Sequence, residues 1–365
     1  MISLCDLREQ YEVLKSELDH AILGVAQSGH YILGAELESL ESECSAFFNG
    51  SYAIGVANGS DALYLSLKAL DIGKGDKVIT TPFTFIATVE AIVRCGATPV
   101  FVDVDSSGNM NLDMLDNASK SCRCVIPVHL YGNPVDMTKL LKLAKKNEFW
   151  VVEDACQSFA GKWRNQRLGT FGIIGCYSFY PSKIMAAMGD SGLVVTNDKG
   201  LAETIRQLRN HGLRNGLYDK HGINSRLDEI QAAVLRVKLK YVDEWIVLRK
   251  KKAELYDSML GEMPISRNNE GHAWNYYTIL AFNRDSLRAF LGKNGIATAI
   301  YYSLPLHLQK VYSDLGYKKG DFPMAELLSR MVISLPLYPE LSDNDIIFVC
   351  QKVKEFYDSV RCKVR

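Results

Sequence analysis

Three segments of the sequence carry residues suited to group-transfer chemistry. The first, "SFYPSKIMAAMGDSG" (178–192), places Lys183 among small and apolar residues. Burying an ammonium group is costly unless it is paired, deprotonated or used chemically. A lysine in such surroundings becomes a nucleophilic amine suited to Schiff-base formation. The alternative is a lysine whose stem is covered while its charged end reaches water.

The second segment, "FWVVEDACQSFAG" (149–161), ends an apolar run with two acids, of which Asp154 is the second. Its carboxylate could be a metal ligand, a general base, the counter-ion of a cationic ring or a helix N-cap. No nearby cluster of carboxylates, histidines or cysteines has the spacing of metal ligands. We therefore predict no metal site.

The third segment, "GVANGSDALYLSLKAL" (55–70), runs from an apolar stretch through a Gly59-Ser60 turn into an amphipathic stretch. Free N–H groups at the start of a helix bind phosphate, and the Ser60 hydroxyl adds a donor. The alternative is an ordinary N-cap supplied by Asn58 or Ser60. Neither the dinucleotide fingerprint nor the P-loop motif occurs, which disfavours a dinucleotide or a nucleoside triphosphate.

The elements around these segments predict how they are positioned. From about residue 53, short β-branched runs alternate with amphipathic stretches, the pattern of βαβ units. This predicts an α/β fold with a mostly parallel seven-stranded sheet covered by helices. Asp154 and Lys183 follow the ends of successive strands, so we expect both at the carboxyl edge of the sheet, where such sheets bind ligands. The candidate strands are 52–57, 77–81, 98–104, 122–128, 148–154, 173–179 and 192–197.

The pattern changes near residue 228 and predicts a second domain. Residues 228–260 keep a helical period, which predicts one bridging helix. Strand and helix patterns on a smaller scale follow it. We predict a large domain over 1–245, including an N-terminal helical segment, and a small α+β domain over 246–365. The smaller elements are "AWNYYTILAF" (273–282), "DSLRAFLGKNG" (285–295), "IATAIYY" (296–302) and the helix "DNDIIFVCQKVKEFYDSV" (343–360).

The composition of the chain argues against nucleic acid and membranes as binding partners. Lys plus Arg and Asp plus Glu both number 42, so the net charge is zero and no polybasic block offers a surface for nucleic acid. The nine cysteines are scattered without CxxC pairs, which is typical of reduced thiols. The sequence shows no signal core and no apolar run long enough to span a membrane, so we expect a cytoplasmic protein.

Together, the three segments match the polar groups of pyridoxal 5′-phosphate (PLP). A phosphate cradle, an acid that keeps a pyridine nitrogen protonated and an imine-forming lysine are its three anchors. An aromatic side chain should cover the ring, and Phe85 follows a strand end where it could stack. Plain core packing is the alternative for Phe85.

The sequence resembles the DegT-like nucleotide-sugar aminotransferases, which are fold-type-I PLP enzymes. The resemblance covers nearly the whole chain and consists of several motifs in the family's order. These motifs are "QYEVLKSELDHAI", "YILGAELESLE", "ANGSDAL", "DKVITTPFTFIAT", "GATPVFVDVD", "IPVHLYGNPVDM", "VVEDACQSFAG", "SFYPSK", "GDSGLVVTND", "GINSRLDEIQAAVLRVKL" and "SLPLYP".

The resemblance implies a role for each matching residue. Lys183 forms an imine with PLP and shuttles the proton, and Asp154 pairs with the pyridinium nitrogen. Gln157 approaches the phenolic oxygen of the cofactor, and Phe85 stacks on its ring. The residues implied to hold the phosphate are Gly59, Ser60 and Ser178.

The resemblance also implies a homodimer with shared active sites. Asn224 of "GINSRLD" would reach the phosphate from the neighbouring subunit, and Arg226 is a candidate contact to the diphosphate of a sugar nucleotide. Tyr180, Tyr302 and His307 are further candidate substrate contacts. For Tyr180 and His307, a purely structural role is the alternative.

The implied activity is transfer of an amino group from L-glutamate to a nucleotide-linked keto sugar, through the pyridoxamine 5′-phosphate form of the cofactor. The form "FYPSK" is more similar to enzymes that aminate carbon 3, so a dTDP-linked 3-keto-6-deoxyhexose is the first expectation and a UDP-linked sugar or acid the second. The alternatives are a carbon-4 aminotransferase, a PLP-dependent sugar dehydratase, disfavoured because Lys183 is retained, and a regulatory protein without turnover.

The chain departs from the family pattern in two places. Ile184-Met185-Ala186 follows the lysine where the family usually reads Asn-Leu-Gly, which raises a question about the backbone of this loop. In "YYSLPLH", Tyr301 and Ser303 replace the first His and the first Pro of the family's His-Tyr-Pro-x-Pro-x-His. We expect substrate choice to differ accordingly.

Overall fold

The structure is a computed structural model that describes residues 1–261, 263 and 270–364. The helices in this part of the chain are α1 (Leu7–Ser28), α2 (Ala35–Phe47), α3 (Gly59–Ala69), α4 (Ala87–Arg94), α5 (Leu112–Ala118), α6 (Met137–Asn147), α7 (Lys199–Leu208), α8 (Glu229–Leu239), α9 (Val242–Leu260), α10 (Arg284–Lys293), α11 (Pro323–Met331) and α12 (Asp343–Val364). The strands are β1 (Tyr52–Val56), β2 (Lys77–Thr80), β3 (Thr98–Phe101), β4 (Cys124–Val125), β5 (Trp150–Asp154), β6 (Lys162–Trp163), β7 (Gln166–Arg167), β8 (Ile174–Ser178), β9 (Gly192–Thr196), β10 (Leu213–Arg214), β11 (Leu217–Tyr218), β12 (Tyr277–Leu280) and β13 (Val332–Leu335).

The central sheet has seven strands in the order β1-β9-β8-β5-β4-β2-β3. All neighbours pair in parallel except β9, which is antiparallel to both β1 and β8. The predicted α/β fold with a mostly parallel seven-stranded sheet is therefore confirmed. The strands are shorter than the apolar runs that predicted them, because several runs continue as loops at the carboxyl edge.

Side chains of the central strands enter two separate cores. Ile54 packs on the face covered by α3, whereas its neighbour Ala53 packs on the opposite face with Phe48. Val194 and Val195 divide in the same way. Successive side chains of a strand point to opposite faces, so strands covered on both sides must be apolar throughout.

The predicted single bridging helix is wrong, because the chain turns at residues 240–241 and forms α8 and α9 instead. The Tyr241 N–H donates to the Lys238 carbonyl three residues earlier at 3.0 Å, and Tyr241 has φ −105°. The turn lets α8 pack on α1 and α2, while α9 packs on α12. The helical period continues across it, since Trp245 joins Leu14 and Val234 in one small core.

The smaller half of the molecule is built on the antiparallel pair β12 and β13. Its core includes the stacked rings of Tyr256 and Tyr277, 4.5 Å apart. The segment 296–302, where the sequence predicted a further small element, contributes isolated bridges instead of a strand, one of them from Ala299 to Ser334. Ile2 pairs with Ile296, so the N-terminus also contacts this half. The predicted domain boundary at residue 245 lies within α9 and stays a prediction.

Two classes of feature are missing from the part of the chain that the structure describes. No helix there is long and apolar enough to cross a membrane. No group of three or more His, Cys, Asp or Glu side chains there is placed to hold a metal ion. The eight cysteines whose side chains are described are free thiols.

Asp103 joins the two halves by capping a helix from a distance. Its carboxylate, 5% exposed, accepts N–H groups from Met324 at 3.0 Å and Ala325 at 2.9 Å. These amides belong to the first turn of α11, whose own N-cap residue, Phe322, supplies no capping bond. A second tie runs from the Leu306 N–H to the Pro82 carbonyl at 2.7 Å. Together they hold the smaller half against the sheet edge.

We expect Asp103→Ala to lower the free energy of unfolding by about 2 kcal/mol, because two helix amides lose their buried charged acceptor. Asp113→Ala is the control, since the Asp113 side chain is 86% exposed and its loss should cost less than about 1 kcal/mol. Urea denaturation of both variants measures the difference. Equal unfolding free energies would contradict the capping role of Asp103.

Candidate active site

A cavity of about 780 Å³ lies at the carboxyl edge of the sheet, where β5 and β8 end and α3 begins. A volume of this size accommodates a cofactor together with part of a substrate. The structure brings nine of the twelve predicted site residues to its wall. They are Gly59, Ser60, Phe85, Asp154, Gln157, Ser178, Tyr180, Lys183 and Tyr302.

Asp154 is a buried carboxylate of the cavity wall that two hydrogen bonds hold in place. It ends β5 and is only 5% exposed. Its Oδ2 accepts a hydrogen bond from the Thr88 hydroxyl at 2.8 Å, and its Oδ1 accepts the Cys156 N–H at 3.2 Å. These two donors fix the plane of the carboxylate. The remaining lone pairs are available to a group in the cavity.

Thr88 is itself held by a second hydroxyl. The Thr84 Oγ1 lies 3.2 Å from the Thr88 Oγ1, and both side chains are buried. Because the Thr88 proton is directed at Asp154, the Thr84 hydroxyl is the donor of this second bond. Thr84 lies in the loop before α4, and Thr88 is in the first turn of that helix. They form a short relay behind the carboxylate.

On the other side of β5, the fully buried side chains of Glu153 and His129 support the strand. The Glu153 carboxylate accepts the N–H groups of Gly169, Phe171 and Gly172, each at 2.7 Å. It also lies 3.1 Å from the Nε2 of His129, whose Nδ1 accepts the Val135 N–H. Glu153 therefore fixes the loop before β8, while Asp154 faces the cavity. The sequence alone did not assign different roles to these two adjacent acids.

The first turn of α3 forms another part of the wall. Asn58 is the N-cap residue, and its side chain accepts the Asp61 N–H at 2.8 Å. The N–H groups of Gly59 and Ser60 lie at the start of the helix, where they have no carbonyl acceptor within it, so they can bind an anion. A Cβ on Gly59 would lie 2.7 Å from the Ser178 Cβ, so only glycine allows this close approach. The N-cap and phosphate interpretations are thus compatible.

The loop after β8 presents Lys183 to the cavity. Its ends are tied by the Phe179 N–H to the Ser191 carbonyl and the Ala187 N–H to the Phe179 carbonyl, both at 2.8 Å. Ile184 and Met185 are buried in the core beneath the loop. Ala186 is buried and lies outside the set of residues with positive φ. Ile184 thus takes up apolar packing where the family usually has Asn, and Ala186 needs no glycine conformation.

Aromatic side chains form the wall on the side of the smaller half. Gln157 connects this wall to the sheet: its Oε1 accepts the Tyr131 N–H at 2.7 Å, and its Nε2 donates to the Tyr302 hydroxyl at 3.1 Å. The rings of Tyr276 and Tyr301 lie 4.4 Å apart. Burial raises the pKa of Tyr302 well above its ordinary value, so the phenol stays protonated.

Five side chains with a formal charge line the cavity among the described residues: Asp61, Arg94, Asp154, Lys183 and Asp190. Sequence reasoning found two of them. The Cys156 thiol also reaches the wall, and burial raises its pKa well above the ordinary value, which keeps the sulfur protonated. It is therefore a neutral neighbour of Asp154 and Lys183.

A comparison with known proteins identifies the chain's family. The DegT/DnrJ/EryC1/StrS aminotransferase family matches residues 12–354. The chain belongs to this family. The predicted resemblance is therefore confirmed over nearly the whole length.

Individual relatives extend over the same span. A protein named "Pleiotropic regulatory protein" from Geobacillus stearothermophilus is 42% identical over 98% of each chain. The dTDP-3-amino-3,4,6-trideoxy-α-D-glucose transaminase of Streptomyces venezuelae is 39% identical over 98% of this chain and 97% of its own. An X-ray crystal structure of S. venezuelae DesV in complex with a ketimine intermediate matches with a TM-score of 0.94, at 39% identity, over 97% of this chain and 98% of that chain.

Three residues to which the family resemblance assigned contacts lie away from this chain's own cavity wall. His307 is 2% exposed, and its Nε2 lies 3.2 Å from the Glu326 carboxylate, so the ring packs inside the smaller half. Asn224 is exposed and pairs through its backbone with Asn210. The Arg226 guanidinium lies 3.5 Å from the Asn210 side chain. The geometry of a single chain gives none of them a contact at the site.

Sequence reasoning missed Thr84, Thr88, Tyr276 and Arg94, and passed over Tyr301 as a contact. The two threonines carried no periodic signal, because Thr84 lies in the loop before α4 and only Thr88 belongs to the helix. Tyr276 and Arg94 carried none, because their positions depend on how the smaller half and α4 pack.

The residues of the cavity fit PLP, the cofactor of this aminotransferase family. The close approach of Gly59 to Ser178 leaves the first turn of α3 open to a phosphate. Asp154 offers a buried, doubly supported carboxylate suited to a protonated ring nitrogen. The amine of Lys183 lines the same cavity. These are partners for the three polar ends of the cofactor.

We expect Thr88→Val to weaken PLP binding roughly tenfold and to lower turnover, because Asp154 loses a hydroxyl donor while the side-chain volume is kept. Thr88→Ser retains the hydroxyl and should stay within about threefold of wild type. The dissociation constant is measured by absorbance titration of PLP into the apo protein. If the valine and serine variants bind PLP with equal affinity, the Thr88 hydroxyl has no role in cofactor binding.

Proposed function

We propose that the protein is a PLP-dependent aminotransferase that moves an amino group from L-glutamate to carbon 3 of a nucleotide-linked keto sugar. A 3-keto-6-deoxyhexose on dTDP is the first candidate acceptor. The observation that carries the proposal is the meeting of Lys183, Asp154 and the first turn of α3 in one cavity, in a chain 39% identical to a dTDP-sugar transaminase over 98% of its length.

Each part of the cavity has a role in this proposal. Gly59, Ser60 and Ser178 bind the cofactor's phosphate, and Asp154 holds its ring nitrogen protonated. PLP, when bound, supplies an electron sink that lets a carbon beside the nitrogen lose its proton. The Lys183 amine takes that proton and returns it at the adjacent position. Phe85 covers the ring, and Gln157 contacts the phenolic oxygen.

The aromatic wall is the proposed binding surface for the sugar. Tyr180 is 53% exposed at the rim, and Tyr302 is held in place by Gln157. Aromatic faces and phenol hydroxyls bind the apolar and polar edges of a hexose ring. Closing this wall over the substrate excludes water from the amine transfer.

Completion of the site by a second copy of the chain is part of the proposal. The hairpin β10–β11 carries Leu217 and Tyr218, which are 67% and 72% exposed, and it directly precedes the segment with Asn224 and Arg226. Exposed apolar side chains of this kind mark protein interfaces. We propose that Asn224 and Arg226 reach the partner's phosphate and diphosphate sites, in a cytoplasmic homodimer that makes an amino sugar for a surface polysaccharide or a glycosylated metabolite.

Absorbance of the bound cofactor tests the reaction. Adding L-glutamate to the wild-type protein should remove the absorbance band of bound PLP as the pyridoxamine 5′-phosphate form accumulates. Adding the 3-keto sugar nucleotide should restore the band. Lys183→Ala should slow both changes roughly a thousandfold, because the proton carrier is lost. NMR of the product distinguishes amination at carbon 3 from carbon 4 and from dehydration. A band that no amino donor moves would favour a regulatory protein without turnover.

Mixing two variants tests the shared site. Lys183→Ala and Arg226→Ala should each be nearly inactive, since one lacks the amine and the other a diphosphate contact. After the subunits exchange, half of the dimers are mixed and each has one intact site, so activity should recover to about a quarter of wild type. Each variant carried alone through the same exchange is the control. Activity that stays at the level of the separate variants contradicts a site built from two chains.

A further inference from the structure

Arg94 is a positively charged residue of the cavity wall that has no part in the proposed reaction. It ends α4 and lines the cavity with Gly59, Ser60 and Asp61. Its Nη1 lies 3.3 Å from the Asp61 Oδ1, and its guanidinium carbon lies 4.3 Å from the centroid of the Tyr64 ring. Both contacts are made to α3, so the charge is held beside the first two turns of that helix.

Asp61 explains why a cation is needed there. It belongs to the first turn of α3, where a carboxylate interacts favourably with the helix dipole. The same carboxylate repels a phosphate dianion bound to the Gly59 and Ser60 amides. The Asp61 side chain is only 14% exposed, so water and salt screen this repulsion incompletely.

We propose that Arg94 sets the affinity of the phosphate subsite by cancelling the charge of Asp61. With the pair intact, α3 presents its amides and dipole to the phosphate without an opposing charge. Arg94 acts here through Asp61 and the local potential, and no direct contact with the cofactor is required. The inference rests on the phosphate of PLP and is independent of which sugar is the substrate.

The charges of Arg94 and Asp61 predict how the affinity for PLP changes in three variants. Arg94→Gln leaves one negative charge beside the phosphate, Asp61→Asn leaves one positive charge, and the double variant leaves none. Arg94→Gln should therefore bind PLP about tenfold more weakly at low ionic strength, and Asp61→Asn should bind it at least as tightly as wild type. The double variant should return to within about threefold of wild type.

Pyridoxal separates this effect from a structural one. It has the ring and aldehyde of PLP but no phosphate, so its affinity should change less than about twofold in all three variants. Each full-length apo variant is titrated with PLP and with pyridoxal and followed by absorbance. Repeating the PLP titration at high salt should reduce the loss in Arg94→Gln, because the interaction is partly exposed to solvent.

Arg123→Gln is a matched control. Arg123 lies 3.0 Å from Asp76, and the two side chains are 44% and 21% exposed, close to the 46% and 14% of Arg94 and Asp61. This pair lies outside the cavity wall. Its loss should leave the affinities for PLP and for pyridoxal unchanged, while thermal unfolding reports whether either arginine variant is destabilised.

The proposal is overturned if Arg94→Gln binds PLP as wild type does, or if pyridoxal affinity falls as much as PLP affinity. If Arg94→Gln does not fold, Asp61→Asn decides: PLP binding weaker than wild type overturns the proposal, and equal or tighter binding supports it. These titrations use no sugar nucleotide. Failure of every keto sugar as substrate would contradict the proposed function and leave the predicted affinities unaffected.

Discussion

A buried carboxylate must be compensated by hydrogen-bond donors or by a positive charge, and Asp154 obtains two donors from its surroundings. The Thr88 hydroxyl and the Cys156 amide bind one side of it, and the other side faces the cavity with Lys183. The rest of the site is arranged around this fixed group. The loop after β8 brings the amine, α3 brings the anion-binding turn, and the smaller half supplies an aromatic wall.

The charged side chains of this cavity include one ion pair. Asp61 and Arg94 cancel one another beside the first turn of α3, whereas Asp154 and Lys183 are left to interact with what the cavity binds. Glu153, next to Asp154 in sequence, lies outside the cavity wall. Its carboxylate oxygens bind three loop amides and His129. The same residue type thus serves support and chemistry according to the side of β5 from which it projects.

Contacts between the two halves decide the shape of the substrate wall. Asp103 caps α11 from the large half, and the Pro82 carbonyl accepts the Leu306 amide. Gln157 then links β5 to Tyr302 across the same boundary. A change in how the halves pack would move the tyrosines relative to Lys183 without altering any residue of the wall. The position of the aromatic wall relative to Lys183 therefore depends on packing far from that amine.

The sequence by itself determined the sheet, the edge at which the site forms and the family, because strand periodicity and short motifs are local properties. It placed Asp154 and Lys183 together through the rule that the strands of an open α/β sheet bind ligands at their carboxyl edge, and the match to the anchors of PLP added Gly59 and Ser60. Tertiary structure alone decided that the predicted bridging helix turns at Tyr241, that His307 binds Glu326, and that Thr88 and Arg94 serve the site. These outcomes depend on contacts between residues distant in sequence, and periodicity within one segment contains no information about them.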